Sequence, residues 1–279
     1  GKNGNRCLGF GRFAGIVGCY NTLNLFLKVL GKQSLANAYK INNYERLTLN
    51  LKNLYFPKTK ILVTGDGRVS KGVIELLNHT NIKEVSKKDF LEKKFDEPIF
   101  CNLETKDYVI NNSSTNFDLE HFIKNPKEYS SSALKYLKKT NIFISAHYWD
   151  PSSPKIFKNE DLEDLPNLNI VGDITCDING SVPTTIRSTT IEKPYYWIDK
   201  KNLKEIDENN DGIAVMAVDN LPSELPRDSS TEFSEGIINE VIPFLLEEDD
   251  GRILNGTITT DGSFLEKYNY LDNYININE

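Results

Sequence analysis

The sequence has little of several residue types that mark particular classes of protein. It contains only four cysteines and three histidines, and the cysteines show no C-x-x-C spacing. Cysteines this sparse argue against a disulfide framework, so we expect reduced thiols and a cytoplasmic location. No group of His, Cys and Asp has the spacing of a metal site, and we expect no bound metal.

Positive charge is also in short supply. Lys and Arg number 33 against 40 Asp and Glu, which gives a formal charge of −7. A nucleic-acid surface needs a basic stripe, so this balance argues against a nucleic-acid partner. No apolar run approaches the roughly 18 residues that span a bilayer, which argues against a membrane protein. The most apolar stretch, 15–30, is interrupted by Asn21 and Asn24 and predicts a buried helix.

Methionine occurs once, at Met216, and the chain opens on Gly1. We therefore expect that the natural protein has further residues upstream. The 279 residues suit one large domain or two modest ones.

Short apolar strands alternate with helical patterns along the chain. The pattern predicts strands over 60–64, 82–86, 98–101, 141–145, 169–173 and 212–218. It predicts helices over 13–30, 72–78, 118–138 with an interruption near Pro126, and 230–246, and a final strand, turn and helix over 254–274. This alternation is typical of an α/β fold with a doubly wound parallel sheet.

A glycine-rich turn follows the first predicted strand. Gly65 and Gly67 would let the backbone turn sharply and approach a pyrophosphate, whose charge the next helix would meet. The third glycine of the usual fingerprint is replaced by Ser70, and a glycine follows at Gly72. An ordinary strand–helix turn is the alternative, but the strand before and the helix after favour nucleotide binding.

The choice of nucleotide depends on the end of the second predicted strand. An acid for the ribose of NAD is expected about 20 residues past the first glycine. The chain has Ser86, Lys87 and Lys88 there, which suit a 2′-phosphate better and favour NADP(H) slightly over NAD(H). A solvated basic turn is the alternative. Asp66 is an awkward acid beside phosphates, and we expect it to point away.

Polar residues follow two later strands. His147 lies where ligands bind in such sheets, although a structural histidine is the alternative. Asp173 and Asp177 flank Thr175 and Cys176 at another strand end. These acids could orient a substrate amine or a nicotinamide amide, or they could cap a turn. The spacing leaves both interpretations open.

Several stretches together carry a family resemblance: 9–18, 64–72, 173–181 with 189–191, 218–226, and 259–262 with 267–268. They resemble the lysine-ketoglutarate reductase and lysine-forming saccharopine dehydrogenase family, within the alanine dehydrogenase and transhydrogenase group. The resemblance implies a Rossmann domain over 31–226. It also implies the remainder of a second α/β substrate domain, built from residues 1–30 and 227–279.

The same resemblance implies an activity and a set of site residues. The family interconverts lysine plus 2-oxoglutarate and saccharopine by hydride transfer to or from an imine, with a nicotinamide cofactor. To Gly65 and Lys87, which come from the patterns above, the resemblance adds these cofactor-binding residues: Gly67, Arg68, Val69, Ser86, Ala146, His147, Ile174, Asp219, Asn220 and Leu221. The implied substrate-binding residues are Arg6, Phe10, Thr175, Cys176 and Asp177.

The family's acid–base pair, a Lys and a His, lies upstream of Gly1 by this resemblance, so the catalytic residues of this chain are unknown. Proton transfer contributes roughly 10²–10⁴-fold to such reactions. We therefore expect this chain alone to bind cofactor but to turn over poorly. An alanine-dehydrogenase-like enzyme acting on another 2-oxo acid and a non-catalytic nucleotide-sensing module are the alternatives.

Overall fold

The computed structural model describes residues 1–3, 6–32, 34–114, 116–208 and 211–275. The chain forms two compact units, one of residues 10–229 and one of residues 1–9 and 230–279. The predicted division at residues 31 and 226 also assigns a function to each part, a cofactor-binding domain and a substrate domain. This division stays a prediction.

The helices are α1 Gly11–Val29, α2 Tyr44–Lys52, α3 Arg68–Leu77, α4 Lys87–Glu92, α5 Thr105–Tyr108, α6 Leu119–Lys124, α7 Leu134–Leu137, α8 Pro226–Glu240, α9 Ile242–Leu246, α10 Arg252–Gly256 and α11 Asp272–Ile275. The strands are β1 Lys60–Thr64, β2 Lys83–Glu84, β3 Ile99–Leu103, β4 Val109–Asn111, β5 Tyr129–Ser131, β6 Ile142–Ser145, β7 Ile170–Asp173, β8 Tyr195–Ile198, β9 Glu205–Ile206, β10 Ile213–Met216, β11 Thr259–Thr260 and β12 Ser263–Phe264. Short 3-10 helices cover Ala38–Lys40, Pro126–Glu128, Asn159–Asp164, Leu221–Glu224 and Glu266–Leu271.

The larger unit is built on an eight-stranded sheet with the order β2-β3-β1-β6-β7-β10-β8-β9. Six neighbouring strands of this sheet pair in parallel, which confirms the predicted α/β fold: β2, β3, β1, β6, β7 and β10. The sheet is not parallel throughout, however, because β8 runs antiparallel to β10 and β9 antiparallel to β8. The segment 174–194 between β7 and β8 contains no helix that could carry the chain back across the sheet. Strand β8 therefore runs in the direction opposite to β7 and β10.

The order of the strands places the carboxyl ends of the six parallel strands at one edge. Strand β1 is the point where the chain changes direction across the sheet, with β3 on one side and β6 on the other. In its last pairs Thr64 is opposite both Leu103 and Ser145, and Ser145 is opposite Asp173. Open α/β sheets bind ligands outside the carboxyl ends of the strands at such a switch point.

The predicted long helices are partly wrong. The stretch 118–138 is divided into α6, a 3-10 turn, β5 and α7, since Pro126 starts a new turn and β5 pairs with β4. The stretch 230–246 is the end of α8 followed by α9, with Pro243 in the first turn of α9. Proline lacks the amide hydrogen that would continue the preceding helix.

Two clusters of buried apolar side chains cover the two faces of the sheet. Ile61 and Val63 belong to one cluster and Leu62 to the other, as strand alternation requires. Helix α1 lies in the first cluster and is buried from Phe13 to Leu27 except at Ala14, as predicted. Its two asparagines are buried with partners: Asn21 donates to Glu224 at 2.8 Å, and Asn24 accepts from the Leu35 amide at 2.7 Å.

Two further predictions concern membrane-spanning helices and disulfides. Within the described residues, none of the helices combines the length and the apolar character needed to cross a membrane. None of the four cysteines, all of which lie in the described part of the chain, forms a disulfide.

Candidate functional site

The two glycines of the turn between β1 and α3 differ in their surroundings. Gly65 has a φ of +125°, which side chains rarely allow. A Cβ there would overlap the carbonyl oxygen of Ala146, so the two backbones meet at this point. At Gly67, in contrast, a Cβ would meet no heavy atom of the described residues within 4 Å. The turn is thus closed at its first glycine and open at its second.

The amino end of α3 faces this open position and fits an anion. The helix begins at Arg68 with Gly67 as its N-cap, and no side chain in the described part of the chain caps it. Main-chain amides and the helix dipole there attract a phosphate. Beside the turn, Asn102 donates to the Gly65 carbonyl at 3.1 Å. Its Oδ1 is buried with no hydrogen-bond partner among the described residues, as expected where a ligand completes a site.

His147 holds the ends of two strands and a later loop together. Its Nδ1 lies 2.8 Å from Thr64 Oγ1, and its Nε2 lies 2.9 Å from Ser181 Oγ. Burial lowers the pKa of this histidine to about 4, so the imidazole is neutral near pH 7. Both ring nitrogens are bonded to hydroxyls, which supports the structural interpretation. Contact of His147 with a cofactor stays a prediction.

Asp173 organises the loop that follows β7. One carboxylate oxygen accepts from Thr175 Oγ1 at 2.6 Å and the other from Thr185 Oγ1 at 2.5 Å. Burial raises the pKa of Asp173, while these hydrogen bonds oppose the rise. Cys176 has a φ of +54° and donates from Sγ to the Ala217 carbonyl at 3.0 Å. The fully buried Asp173 is therefore a brace for the loop, whereas Asp177 is exposed at its outer end.

An apolar wall lies beside this loop. A Cβ at Gly18 of α1 would lie 2.6 Å from Ile174 and 3.1 Å from Leu221, so both side chains pack against the bare helix backbone. Asp219 and Asn220, between β10 and Leu221, are exposed. The structure thus brings Ile174 and Leu221 together, with the two polar residues next to them in sequence.

Ser86 and Lys87 are already engaged in local contacts. Ser86 is the N-cap of α4 and accepts from the Asp89 amide at 3.1 Å. The Lys87 ammonium lies 2.5 Å from the carboxylate of Asp107. Both residues follow β2, which is separated from β1 by β3. Their predicted contact with the ribose stays a prediction.

Sequence reasoning missed the residues at the end of β3. Glu104 follows this strand directly, and its amide donates to Asp107 Oδ2 at 2.8 Å. Its carboxylate lies 2.5 Å from Lys106 Nζ, and Thr105 Oγ1 donates to Asp66 at 3.2 Å. No local pattern identifies these residues, since their importance depends on β3 lying beside β1.

The two remaining predicted residues lie before α1. Phe10 precedes this helix in the larger unit and is 40% exposed. Arg6 belongs to the smaller unit, where it lines a cavity of about 570 Å³ together with Arg252 and Tyr268. Contact of either residue with a substrate stays a prediction. Among the described residues, no group of three or more His, Cys, Asp and Glu could hold a metal ion.

Comparisons with known proteins agree with this architecture. Residues 101–267 match the family model described as alanine dehydrogenase/PNT, C-terminal domain. In three dimensions the chain is similar to an L-alanine dehydrogenase, with a TM-score of 0.53 and 10% identity over 95% of this chain and 64% of that one. At this identity the likeness shows the fold alone.

Curated relatives are similar over different shares of the chain. Alpha-aminoadipic semialdehyde synthase of Arabidopsis thaliana is 27% identical over 84% of this chain and 26% of its own length. The mitochondrial protein of the same name from Mus musculus is 24% identical over 96% of this chain and 34% of its own. Saccharopine dehydrogenase (NAD(+), L-lysine-forming) of Schizosaccharomyces pombe is 30% identical over 38% of this chain and 28% of its own. The chain therefore spans about a quarter to a third of these relatives.

Proposed function

This chain belongs to the alanine dehydrogenase/PNT C-terminal domain family, and from that premise we propose that it binds the nicotinamide dinucleotide of a saccharopine-type oxidoreductase. The reaction is the interconversion of lysine plus 2-oxoglutarate and saccharopine. The observation that carries the proposal is the open Gly67 position in front of α3, at the switch point of the sheet. The names of the curated relatives support the substrate class.

Each group of residues has a proposed task in this reaction. Gly65, Gly67 and the amino end of α3 hold the pyrophosphate. Ile174 forms the apolar surface against which the nicotinamide ring lies, with Leu221 buried behind it and Asp219 and Asn220 beside it. The loop 175–177, braced by Asp173, presents Thr175 and Asp177 to the amino-acid substrate.

The chemistry divides between the cofactor and the protein. The reduced cofactor, when bound, would supply a hydride to the carbon of the imine that the lysine ε-amine and 2-oxoglutarate form with loss of water, and the imine nitrogen would take up a proton. The reverse direction would return the hydride and the proton, and water would then hydrolyse the imine to lysine and 2-oxoglutarate. This chain positions the two partners and keeps water from them by its apolar wall.

Two finer predictions remain with this proposal. The slight preference for NADP(H) rests on Ser86, Lys87 and Lys88 and stays a prediction. The cytoplasmic location also stays a prediction, and the mouse relative is named as mitochondrial.

The test is oxidation of the reduced nicotinamide by the natural protein that contains this chain. We expect oxidation that requires both lysine and 2-oxoglutarate.

Gly67→Val should weaken cofactor binding about tenfold or more, because a side chain would occupy the open position before α3. Gly256→Val in α10, also in open space, is the matched control and should bind as the parent does. Oxidation with pyruvate and ammonium instead would favour a different 2-oxo acid.

A further inference from the structure

The strand that lies beside β1 decides where the adenosine ribose of a dinucleotide meets the protein. In the Rossmann strand order 3-2-1-4-5-6, the glycine turn follows strand 1, and an acid that follows strand 2, its neighbour on one side, binds the ribose hydroxyls. Here that neighbour is β3, because Thr64 is opposite Leu103 and β2 lies outside β3. The acid has to be sought after β3, although β2 comes second in the chain.

Glu104 is the residue at this position. The Gly65 amide donates to the Leu103 carbonyl at 2.9 Å, so Glu104 directly follows backbone that is bonded to the glycine turn. The hydrogen bond from its own amide to Asp107 fixes its backbone. Its side chain is 42% exposed, which leaves the carboxylate accessible to a ligand. Lys106 holds the pKa of Glu104 below its ordinary value, so the carboxylate is charged at neutral pH.

The surrounding charges suit a ribose diol and not a phosphate. Three acids lie here, Asp66, Glu104 and Asp107, joined by the hydrogen bond from Thr105 to Asp66 and the capping contacts of Glu104 with Asp107. The two lysines nearby are each bound to one of these acids, Lys106 to Glu104 and Lys87 to Asp107. A phosphate monoester brings about −1.5 to −2 charges, which these acids would repel. A diol brings two hydroxyl donors, which a carboxylate accepts.

We infer that Glu104 binds the adenosine ribose hydroxyls and thereby selects NAD(H) over NADP(H). The inference rests on the proposed function, since it names the cofactor of the same site. It departs from the preference predicted from Ser86 and Lys87, because both residues follow β2, which β3 separates from β1.

The test is calorimetric titration of the whole protein with NADH and with NADPH. We expect NADH to bind about tenfold tighter or more, since a hydrogen bond to a charged group is lost and a repulsion is gained with NADPH. Glu104→Gln should weaken NADH and strengthen NADPH, which brings the two affinities within about threefold of each other.

Glu97→Gln is the matched control. Glu97 comes just before the other end of β3, is also 42% exposed, and lies 2.5 Å from Lys83. The variant removes the same charge and should keep the parent's ratio of affinities. Tighter binding of NADPH by the parent, or a ratio that Glu104→Gln leaves unchanged, would overturn the inference while the proposed function stands. Failure of both nucleotides to bind would instead contradict the proposed function.

Discussion

Two buried side chains in the larger unit titrate with opposite consequences for stability. His147 is buried and its pKa is lowered to about 4, so the unfolded chain binds more protons than the folded one between about pH 4 and pH 6.5. Stability contributed by His147 is present above that window and is lost as the pH falls through it. Burial raises the pKa of Glu224 to about 7, so its contribution is present at low pH and is lost as the pH rises from about 4.5 to 7.

The His147→Gln variant is therefore expected to resist acid better than the parent. When the pH is lowered from about 7.5 to about 5, the free energy of unfolding of the variant should fall by about 2 kcal/mol less than that of the parent, because the variant has no imidazole to protonate on unfolding. Urea unfolding at the two pH values measures this change. Glu224→Gln serves as the control of opposite sign: its free energy of unfolding should fall more than that of the parent over the same pH range, by a similar amount. A His147→Gln variant with the parent's pH dependence would show that His147 titrates as it does in the unfolded chain.

At the scale of elements, local patterns predicted the individual strands better than their arrangement. The β1 strand, the glycine turn and the buried α1 follow from neighbouring residues, and the structure has all three. The position of β3 beside β1 depends on packing between segments far apart in sequence, and no local pattern reports it. The candidate site was predictable to the same extent: the glycine turn at Gly65 and Gly67 follows from neighbouring residues, whereas the position of Glu104 depends on the strand order.

The crossing of α1 and α3 also depends on distant residues. Gly15 of α1 faces the backbone of Val69 and Val73, and Gly72 of α3 faces the carbonyl of Arg12. A Cβ at either glycine would overlap a backbone oxygen of the opposite helix. The two helices therefore touch backbone to backbone, and this contact holds α3 at the glycine turn.

Gly15→Ala is expected to destabilise the protein by about 3 kcal/mol, because backbone atoms of α3 must move to admit the methyl group. Urea or thermal unfolding measures the loss. Gly256→Ala is the matched control, since it also replaces a helical glycine but has open space around it. The control should change stability by less than about 1 kcal/mol. Equal results for the two variants would show that the α1–α3 crossing can relax.

At the scale of the whole molecule, the two compact units differ in how their apolar residues are buried. Both core clusters lie entirely within residues 13–225. In the smaller unit, none of the described apolar side chains is fully buried. Burial of apolar area is the main stabilising contribution to a fold, so we expect the larger unit to fold by itself.

A fragment of residues 10–240, which keeps α8 intact, is expected to unfold cooperatively and to bind the dinucleotide within about threefold of the whole chain's affinity. Urea unfolding and calorimetric titration measure the two properties. A second fragment, 31–240, begins at the domain boundary predicted from the sequence and lacks α1. It should not unfold cooperatively, because α1 contributes buried side chains from Phe13 to Leu27 to the first core cluster. Equal stability of the two fragments would instead place the start of the cofactor-binding domain at residue 31. Absence of a cooperative transition in the 10–240 fragment would show that its core depends on residues of the smaller unit.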